Sequence, residues 1–367
     1  MNLIIALTMI SGIVIPSTRL TISVSAATDV NKTVFLPLAM KDSGGIHTPK
    51  MLGVIAKGYW GITTNDVNTM LKGLDSWSGK KHSIVGWFWD LREQGPDYNF
   101  YWQLENLWEN GYTSFINMGA GGLTASDIAQ HKYDSYIQAI ANAYVKWIRK
   151  GGGRRAFIAP LQEMNGYWVT YGLDPTNFKL AYDVIQQIFY KSGISSSQIW
   201  WVFAPNGYSD PSDPPFEQYY PGDNKVDIVA FSSFNFGFCP VGNPDWHKWV
   251  DYSVVLKPYV DRMRIMAPLK PIIIAQSGTS AQYPSAGVYN TDMKNSWIED
   301  AYNYVANEPG VMALIYFDID GQSEGECDYE IYNGPYQYNG YKTAVANQVF
   351  KYYDPASLST MNLLSAP

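Results

Sequence analysis

Short apolar runs alternate with longer amphipathic segments along most of the chain. Each run is bounded by turn-forming residues and is short enough for a buried parallel strand, whereas the longer segments carry apolar residues at helical spacing. Eight runs have this character, at residues 51–56, 83–89, 114–118, 156–161, 199–203, 226–231, 271–275 and 311–317. The pattern therefore predicts eight strands separated by helices.

The predicted helices have start and stop signals of their own. Asp174 offers an N-cap followed by Pro175 at the first helical position, ahead of the periodic segment 178–191. The long periodic segment 126–150 runs into three consecutive glycines, which commonly end helices.

The number and size of these units predict the fold. Eight β-α units over roughly 300 residues match the size of a (β/α)8 barrel. We therefore predict an α/β fold, a single (β/α)8 TIM barrel over residues 51–355, with 356–367 as a C-terminal tail. A doubly wound open sheet is the alternative. It would need a phosphate-binding loop, and the glycines at 119–122 and 151–153 lack the spacing of one.

The N-terminus has the features of an export signal. An apolar stretch at residues 3–15 precedes small residues at 23–27, where cleavage would occur. We predict a signal peptide at 1–27, a linker at 28–50 and a secreted, extracellular protein. The positive flank of an ordinary signal is missing, so a retained N-terminal anchor is the alternative, although the stretch is short for a membrane span.

Composition narrows the class of partner. The net charge of -7 leaves no basic surplus for neutralising phosphates, which argues against nucleic acid. Charged residues make up only 16% of the chain and aromatic residues 15%. Aromatic side chains stack on the apolar faces of sugar rings, so this composition suits a polysaccharide partner, with a large aromatic core as the alternative. Nothing implies a protein partner, and we expect a monomer.

The cysteines and histidines give no sign of a metal site. The two cysteines, Cys239 and Cys327, can form one disulfide in an exported protein or remain as thiols. The four histidines are scattered and have no metal-binding spacing. The sequence therefore predicts no metal, and it suggests no organic cofactor.

Candidate site residues follow the predicted strands, because the active site of a (β/α)8 barrel lies at the C-terminal strand ends. Glu163 follows the fourth run and is the best candidate for the acid that protonates a leaving glycosidic oxygen. A structural hydrogen-bond network at the barrel rim is the alternative role for Glu163. Aromatic and amide residues at strand ends are candidates for sugar binding: Tyr59, Trp60, Trp89, Gln162, Trp168, Asn206 and Asn235.

Four segments resemble glycoside hydrolase family 26, in the order of that family's strands. PLQEMNGYW resembles the strand-four motif that carries the acid/base, and WWVFAPNG the strand-five segment. VDIVAFSSFNFG is similar to the strand-six pattern, and PIIIAQSGT to the strand-seven segment that carries the nucleophile. The resemblance covers nearly all of residues 51–355.

The resemblance implies a retaining hydrolase of β-linked polysaccharide, most commonly β-1,4-mannan, with β-1,3-xylan and mixed-linkage glucan as other substrates in the family. It also implies that Glu163 is the acid/base, that Trp168 is a sugar platform, and that Asn206 is a polar residue of the cleft.

The chain departs from the family pattern at three places. The family has His directly before the acid/base Glu, where this chain has Gln162, and Tyr near the end of strand six, where it has Phe-Asn-Phe at 234–236. The nucleophilic Glu is replaced by Gln276. An amide cannot attack an anomeric carbon as a carboxylate does, and it carries no charge to stabilise an oxocarbenium ion.

Four explanations of Gln276 stay open. The chain is a non-catalytic glycan binder, an enzyme whose second carboxylate lies at a different position, or an engineered substrate trap. The fourth explanation is that the alignment with the family is shifted. The additional change at Gln162 argues against the trap. The alternative carboxylates follow the eighth run, and solvation or Ca²⁺ binding is the more ordinary role of such an acidic loop. They are Asp318, Asp320, Glu326 and Asp328.

Three functions follow from these observations. They are a secreted β-glycan hydrolase with Glu163 as acid/base, a non-catalytic carbohydrate-binding barrel, and a barrel that binds a small ligand other than a sugar. The tryptophans at strand ends argue against the third, and we favour the first.

Overall fold

The computed structural model describes residues 49–57, 63–239, 248–281, 290–322, 326–332 and 337–363. Within these ranges eight strands form a closed barrel in chain order. All neighbouring strands are parallel, and β1 pairs with β8 to close the barrel. The strands are β1 Met51–Ile55, β2 Ile84–Asp90, β3 Thr113–Gly119, β4 Ala156–Pro160, β5 Ile199–Phe203, β6 Ile228–Asn235, β7 Ile272–Thr279 and β8 Val311–Phe317.

The predicted (β/α)8 fold is confirmed, and every predicted run coincides with most of a strand or with its beginning. A closed barrel has no open edge, so the doubly wound alternative does not apply. The helices lie between the strands or follow β8. They are α1 Thr64–Asp66, α2 Lys72–Ser78, α3 Asn99–Glu109, α4 Ala125–Ala129, α5 Asp134–Ile148, α6 Pro175–Lys191, α7 Tyr252–Val255, α8 Lys257–Met266, α9 Thr291–Asn307, α10 Asn339–Val345 and α11 Pro355–Thr360.

Most of the predicted helix signals act as expected, with one exception. Asp174 caps α6 by accepting a hydrogen bond from the backbone N–H of Asn177. The glycines after α5 adopt positive φ, 78° at Gly151, which ends the helix. The predicted helix over 126–150 is instead two helices, because His131 between them takes a left-handed φ of 63° while the apolar spacing continues through the break.

The core has two layers, because successive strand residues point alternately into the barrel and toward the helices. In β2, Phe88 belongs to the inner core, whereas Trp87 and Trp89 belong to the outer layer. Inside the barrel, Phe157 stacks on Trp200 with ring centroids 4.4 Å apart. Aromatic residues therefore contribute to both layers. This agrees with the alternative explanation of the aromatic content, a large aromatic core.

The N-terminal end of the barrel is closed by the end of the chain. Leu358 of α11 and Leu363 pack into the same inner core as Met51, the first residue of β1. The segment predicted to be a tail thus includes a helix that packs against this end of the barrel. The mouth of the barrel is therefore at the opposite end, where the strands finish.

The predictions for the N-terminus concern residues that the structure does not describe. The predicted signal peptide and nearly all of the predicted linker lie outside the described residues. Among the helices that are described, none is both long and apolar enough to cross a membrane.

Candidate active site

The ends of four consecutive strands come together at one level of the barrel mouth. The backbone N–H of Glu163, just after β4, donates to the carbonyl of Ala204, just after β5, at 2.8 Å. Asn206 pairs with Ser232 of β6 in a parallel bridge. Ser232 in turn lies opposite Gln276 in the β6–β7 register. The predicted acid/base and the residue at the nucleophile position are therefore separated by two strands of one continuous wall.

The Glu163 carboxylate is held by three donors. The indole Nε1 of Trp168 donates to Oε2 at 2.8 Å, and Nδ2 of Asn206 donates to Oε1 at 3.0 Å. The hydroxyl of Ser232 also donates to Oε1. Since each oxygen has a fixed partner, the orientation of the carboxylate is defined before any ligand arrives.

The backbone around Glu163 is strained. Leu161 and Glu163 have φ values of 53° and 57°, in the left-handed region that costs L-residues about 1–2 kcal/mol each. The N–H of Leu161 donates to the carbonyl of Met118 at 2.7 Å, which ties the turn to β3. Left-handed non-glycine residues concentrate at functional sites, and here they set the direction in which Glu163 leaves its strand.

Asn165 organises the loop beside Glu163. Its Nδ2 donates to the carbonyls of Asn206 and Tyr208, both at 2.9 Å, and to the hydroxyl of Ser209 at 2.8 Å. Its Oδ1 accepts from the N–H of Asn206 at 2.9 Å. The residue is buried, so it positions Asn206 rather than touching a ligand. Asn165 lies in the strand-four segment PLQEMNGYW, but no pattern in that segment predicted this role.

Gln276 belongs to a cluster of side-chain amides. Its Nε2 donates to Oε1 of Gln162 at 2.7 Å and to Oδ1 of Asn117 at 3.2 Å. Asn117 points its Nδ2 at the carbonyl of Trp87, at 3.5 Å, so its oxygen faces Gln276. Both N–H groups of Gln276 are thereby used, and within the described residues its Oε1 accepts no hydrogen bond.

A second wall of the mouth is aromatic, and it shares β6 with the polar wall. Phe317, at the end of β8, lies 5.4 Å from Phe234 of β6 and 6.5 Å from Phe88 of β2, measured between ring centroids. Tyr329 covers the pair from the loop after β8, 5.1 Å from Phe234. The mouth thus has a polar wall from β4 to β7 and an aromatic wall from β2, β6 and β8.

A disulfide supports the aromatic wall. Cys239 and Cys327 are bonded, which resolves the choice between a disulfide and two thiols. Both cysteines pack with Phe234 and Tyr329, so the bond ties the segment after β6 to the loop after β8.

Two predicted sugar contacts lie elsewhere. Trp89 packs outward against Phe100 at 5.2 Å, because strand alternation points it to the helix layer. Asn235 is fully buried, with its Nδ2 donating to Thr279 and its Oδ1 accepting from the N–H groups of two loop residues, Gly237 and Val250. Neither placement leaves the side chain facing a ligand. Tyr59 and Trp60 lie outside the described residues.

The four alternative carboxylates after β8 divide into a buried pair and an exposed pair. Asp318 is 1% exposed and accepts the N–H of Ile331 at 2.6 Å, and burial raises its pKa to about 6. Asp328 is also buried, which raises its pKa as well. Asp320 and Glu326 are exposed. Asp318 follows the inward-facing Phe317 and points to the helix layer, so it supports the loop rather than the mouth.

A buried lysine accompanies the two buried aspartates. Lys294 of α9 is buried, donates to the carbonyl of Glu330 at 2.7 Å, and has its pKa lowered to about 8 by burial.

Among the residues that the structure describes, no group of His, Cys, Asp and Glu side chains could hold a metal ion.

Comparisons with known proteins point to one fold. No family model matches the chain. Among curated proteins, endoglucanase H of Acetivibrio thermocellus is 24% identical over 300 residues, which cover 78% of this chain. The matched region spans only 30% of that larger protein.

Solved structures with a similar fold include family 26 mannanases. The family 26 domain of an endo-β-mannanase/endo-β-glucanase from Prevotella bryantii has a TM-score of 0.56 at 14% identity, covering 86% of this chain and 93% of that one. The catalytic domain of a family 26 endo-β-1,4-mannanase from Bacillus sp. JAMB-750 has a TM-score of 0.58 at 13% identity, covering 87% and 90%. The fold of this chain is therefore that of the family 26 mannanases, in agreement with the resemblance of its four segments.

Proposed function

We propose that the barrel mouth is a cleft for β-linked polysaccharide and that Glu163 is its acid/base residue, with β-1,4-mannan as the first candidate substrate. The observation that carries this proposal is the fixed Glu163 carboxylate, which receives hydrogen bonds from Trp168, Asn206 and Ser232 at the end of β4. A carboxyl group in that position can protonate a glycosidic oxygen as the bond breaks.

The aromatic side chains beside Glu163 suit a sugar ring. Trp168 is 43% exposed although its indole N–H is bound to Glu163, so its ring face remains free for stacking in a fixed orientation. Tyr167 next to it is 62% exposed and packs edge-on against that indole at 5.2 Å. Such a platform provides contact area for a sugar ring. Binding costs little side-chain entropy, because the Trp168 ring is already fixed by its hydrogen bond to Glu163 and the Tyr167 ring packs against it.

The relatives support a β-linked glucan or mannan. The names of the similar proteins refer to an endoglucanase, an endo-β-1,4-mannanase and an endo-β-mannanase/endo-β-glucanase. These names describe those proteins, and we extend the substrate class to this chain because its Glu163 stands in the matching motif.

A second candidate function is glycan binding without cleavage. The usual retaining mechanism needs two carboxylates about 5–5.5 Å apart, and position 276 holds an amide. Gln276 is engaged with Gln162 and Asn117, as a structural side chain would be. Asp318 and Asp328 are buried away from the mouth and do not supply the missing group.

Release of reducing sugar from β-mannan, mixed-linkage glucan and β-1,3-xylan separates the two candidates. The proteins are the unaltered chain, Glu163→Gln, Gln276→Glu, and Glu299→Gln as a control on an exposed face of α9. If the unaltered chain cleaves a glycan and only Glu163→Gln abolishes that cleavage, the result supports the hydrolase. Cleavage by Gln276→Glu alone supports the binder. Failure of every protein both to cleave and to bind these glycans contradicts the cleft itself.

We also propose that the protein works outside the cell as a monomer. The export signal predicted at 1–27 and the disulfide between Cys239 and Cys327 both suit an oxidising compartment. N-terminal sequencing of the protein recovered from culture medium tests this proposal, and recovery of the uncleaved chain in the cytoplasm would contradict it.

A further inference from the structure

We propose that this site cleaves β-linked glycans of 2-acetamido sugars, with the acetamide carbonyl of the substrate as the nucleophile. The inference rests on the proposed function, because it takes Glu163 as the acid/base. It concerns which β-glycans the site can cleave when the described wall from β4 to β7 supplies one carboxylate at the level of Glu163 instead of two.

The first observation is the absence of a second carboxylate on the polar wall. From β4 to β7, the described side chains at the level of Glu163 are Asn206, Ser232 and Gln276, which are neutral. None of them can form a covalent glycosyl intermediate as a carboxylate does. A retaining reaction at this wall therefore requires a nucleophile that arrives with the substrate.

The second observation is the fixed orientation of the Gln276 amide. Asn117 donates to the carbonyl of Trp87, and its own oxygen therefore receives a hydrogen of Gln276 Nε2. The other hydrogen goes to Gln162. Gln276 is 5% exposed, and within the described residues its Oε1 accepts no hydrogen bond, so this oxygen is a neutral acceptor that still lacks a donor. An acetamide N–H is such a donor, and pairing with it aligns the acetamide carbonyl toward the anomeric carbon.

The third observation is the aromatic wall beside this acceptor. Phe234 lies two residues beyond Ser232 on the same strand face, one layer above Gln276, and it contacts Phe317. Both rings are only partly buried, so they offer an apolar contact at the mouth. The methyl group of an acetamide matches this surface, whereas a 2-hydroxyl group gains nothing from it.

The reaction balances with water as the only co-reactant. The acetamide oxygen bonds to C1 as the glycosidic C1–O bond breaks, and the leaving oxygen takes its electron pair and the proton of Glu163. Water then attacks C1 of the bicyclic oxazolinium intermediate and gives its proton to Glu163, while the C1–O bond to the acetamide breaks and restores that group. Two displacements at C1 yield the β anomer.

The geometry of the sugar limits the substrate further. The acetamide can attack only when it is trans to the β-linked leaving oxygen, as the equatorial group is in the gluco and galacto configurations. β-Mannosides have an axial 2-hydroxyl group on the same side as the leaving oxygen. We therefore expect β-mannan to bind without this route to cleavage.

A matched pair of substrates tests the inference on the unaltered chain. Tetramers of β-1,4-linked N-acetylglucosamine and of β-1,4-linked glucose differ only in the 2-substituent. We expect the first to be cleaved at least about a hundredfold faster, because its nucleophile is intramolecular. Proton NMR should detect the β anomer as the first product. Equal rates, an initial α anomer, or no cleavage of the acetamido tetramer would overturn the inference.

Two variants and a binding measurement distinguish a failure of this inference from a failure of the proposed function. Gln276→Met keeps the size but removes the acceptor and should slow cleavage at least about tenfold, while Glu163→Gln should slow it at least about a hundredfold. Unchanged rates in both variants would contradict the assigned roles. Binding of mannan or glucan without cleavage of the acetamido tetramer removes only this inference. Loss of binding to every glycan removes the proposed function too.

Discussion

Gln276 donates its side-chain amide to Oε1 of Gln162 at 2.7 Å. These are two of the positions at which the sequence departs from the family 26 pattern, and the structure brings them into direct contact. A neutral amide pair is self-consistent, since one residue supplies the donor and the other the acceptor. The two departures therefore form one structural unit, which disfavours a single engineered change at the nucleophile position.

Restoring the family residues together should create retaining activity on 2-hydroxy glycans. In Gln276→Glu alone, the new carboxylate faces the side-chain oxygens of Gln162 and Asn117. All of these oxygens are hydrogen-bond acceptors, so they repel one another unless the two amides rotate and present their N–H groups. The double variant Gln162→His, Gln276→Glu removes one of these conflicts. We expect its rate on β-mannan or mixed-linkage glucan to exceed that of the unaltered chain by at least about a hundredfold.

The control for that prediction is the triple variant that also carries Glu163→Ala. Its activity should return to the background, since no acid remains at the end of β4. Activity that survives in the triple variant would contradict the role assigned to Glu163.

Asn165 should be important for stability as well as for the site. Asn165→Ala removes hydrogen bonds to Asn206, Tyr208 and Ser209 from a buried position. These partners are themselves partly or largely exposed, so we expect the lost hydrogen bonds to cost about 1–2 kcal/mol in the free energy of unfolding. Denaturant unfolding measures it, with the exposed Asn142→Ala of α5 as control. A cost for Asn165→Ala no larger than for the control would contradict this role.

Asp318 should make the folded state less stable as pH rises. Burial raises its pKa from the ordinary 3.8 to about 6, so the folded chain holds this proton more tightly than the unfolded chain. Its contribution is fully present below 3.8 and is lost as pH rises to about 6, by about 3 kcal/mol at most. Asp318→Asn should lack this loss, because an amide does not titrate.

The comparison needs a carboxylate from the same loop that is solvated. Asp320→Asn serves, since Asp320 is exposed. The difference in unfolding free energy between the unaltered chain and Asp318→Asn should change over the stated pH window by more than the difference between the unaltered chain and Asp320→Asn. Parallel behaviour of the two variants would contradict the burial of Asp318 as the cause.

The disulfide should hold the aromatic wall together. Cys239 and Cys327 are 88 residues apart in sequence, so their bond removes much freedom from the unfolded chain, worth about 2–4 kcal/mol. The double variant Cys239→Ser, Cys327→Ser should unfold at lower denaturant concentration. The same midpoint for the variant and the unaltered chain would contradict a stabilising bond.

The sequence predicted the barrel because apolar runs mark buried strands whatever their neighbours are. For the same reason, it ended two strands four residues too early. β6 continues from the predicted end at Phe231 to Asn235, and β7 from Ala275 to Thr279. The added segments contain Ser232 and Gln276, polar residues that line the mouth. A criterion based on apolar runs places the end of a strand too early when the last residues of that strand are polar and line the mouth.

The details of the site depended on contacts that no local pattern reveals. Trp89 and Phe88 are neighbours, and only the strand alternation in three dimensions decides which of them faces the barrel interior. Asn165 finds its partners more than 40 residues away, and Ser232 meets Glu163 across 69 residues. Motif resemblance predicted site roles for Glu163, Trp168 and Asn206, and the structure places the side chains of Trp168 and Asn206 within hydrogen-bond distance of Glu163.

Affinity for β-1,4-linked mannohexaose and glucohexaose, measured by titration calorimetry, tests the proposed cleft most directly. Trp168→Ala removes the platform next to Glu163, and Trp102→Ala removes a tryptophan of nearly equal exposure, 41%, from α3. We predict that the unaltered chain and Trp102→Ala bind at least one of the two glycans equally well. Trp168→Ala should bind it about tenfold more weakly. Absence of binding to the unaltered chain, or an equal loss in both tryptophan variants, would contradict a glycan cleft at this barrel mouth.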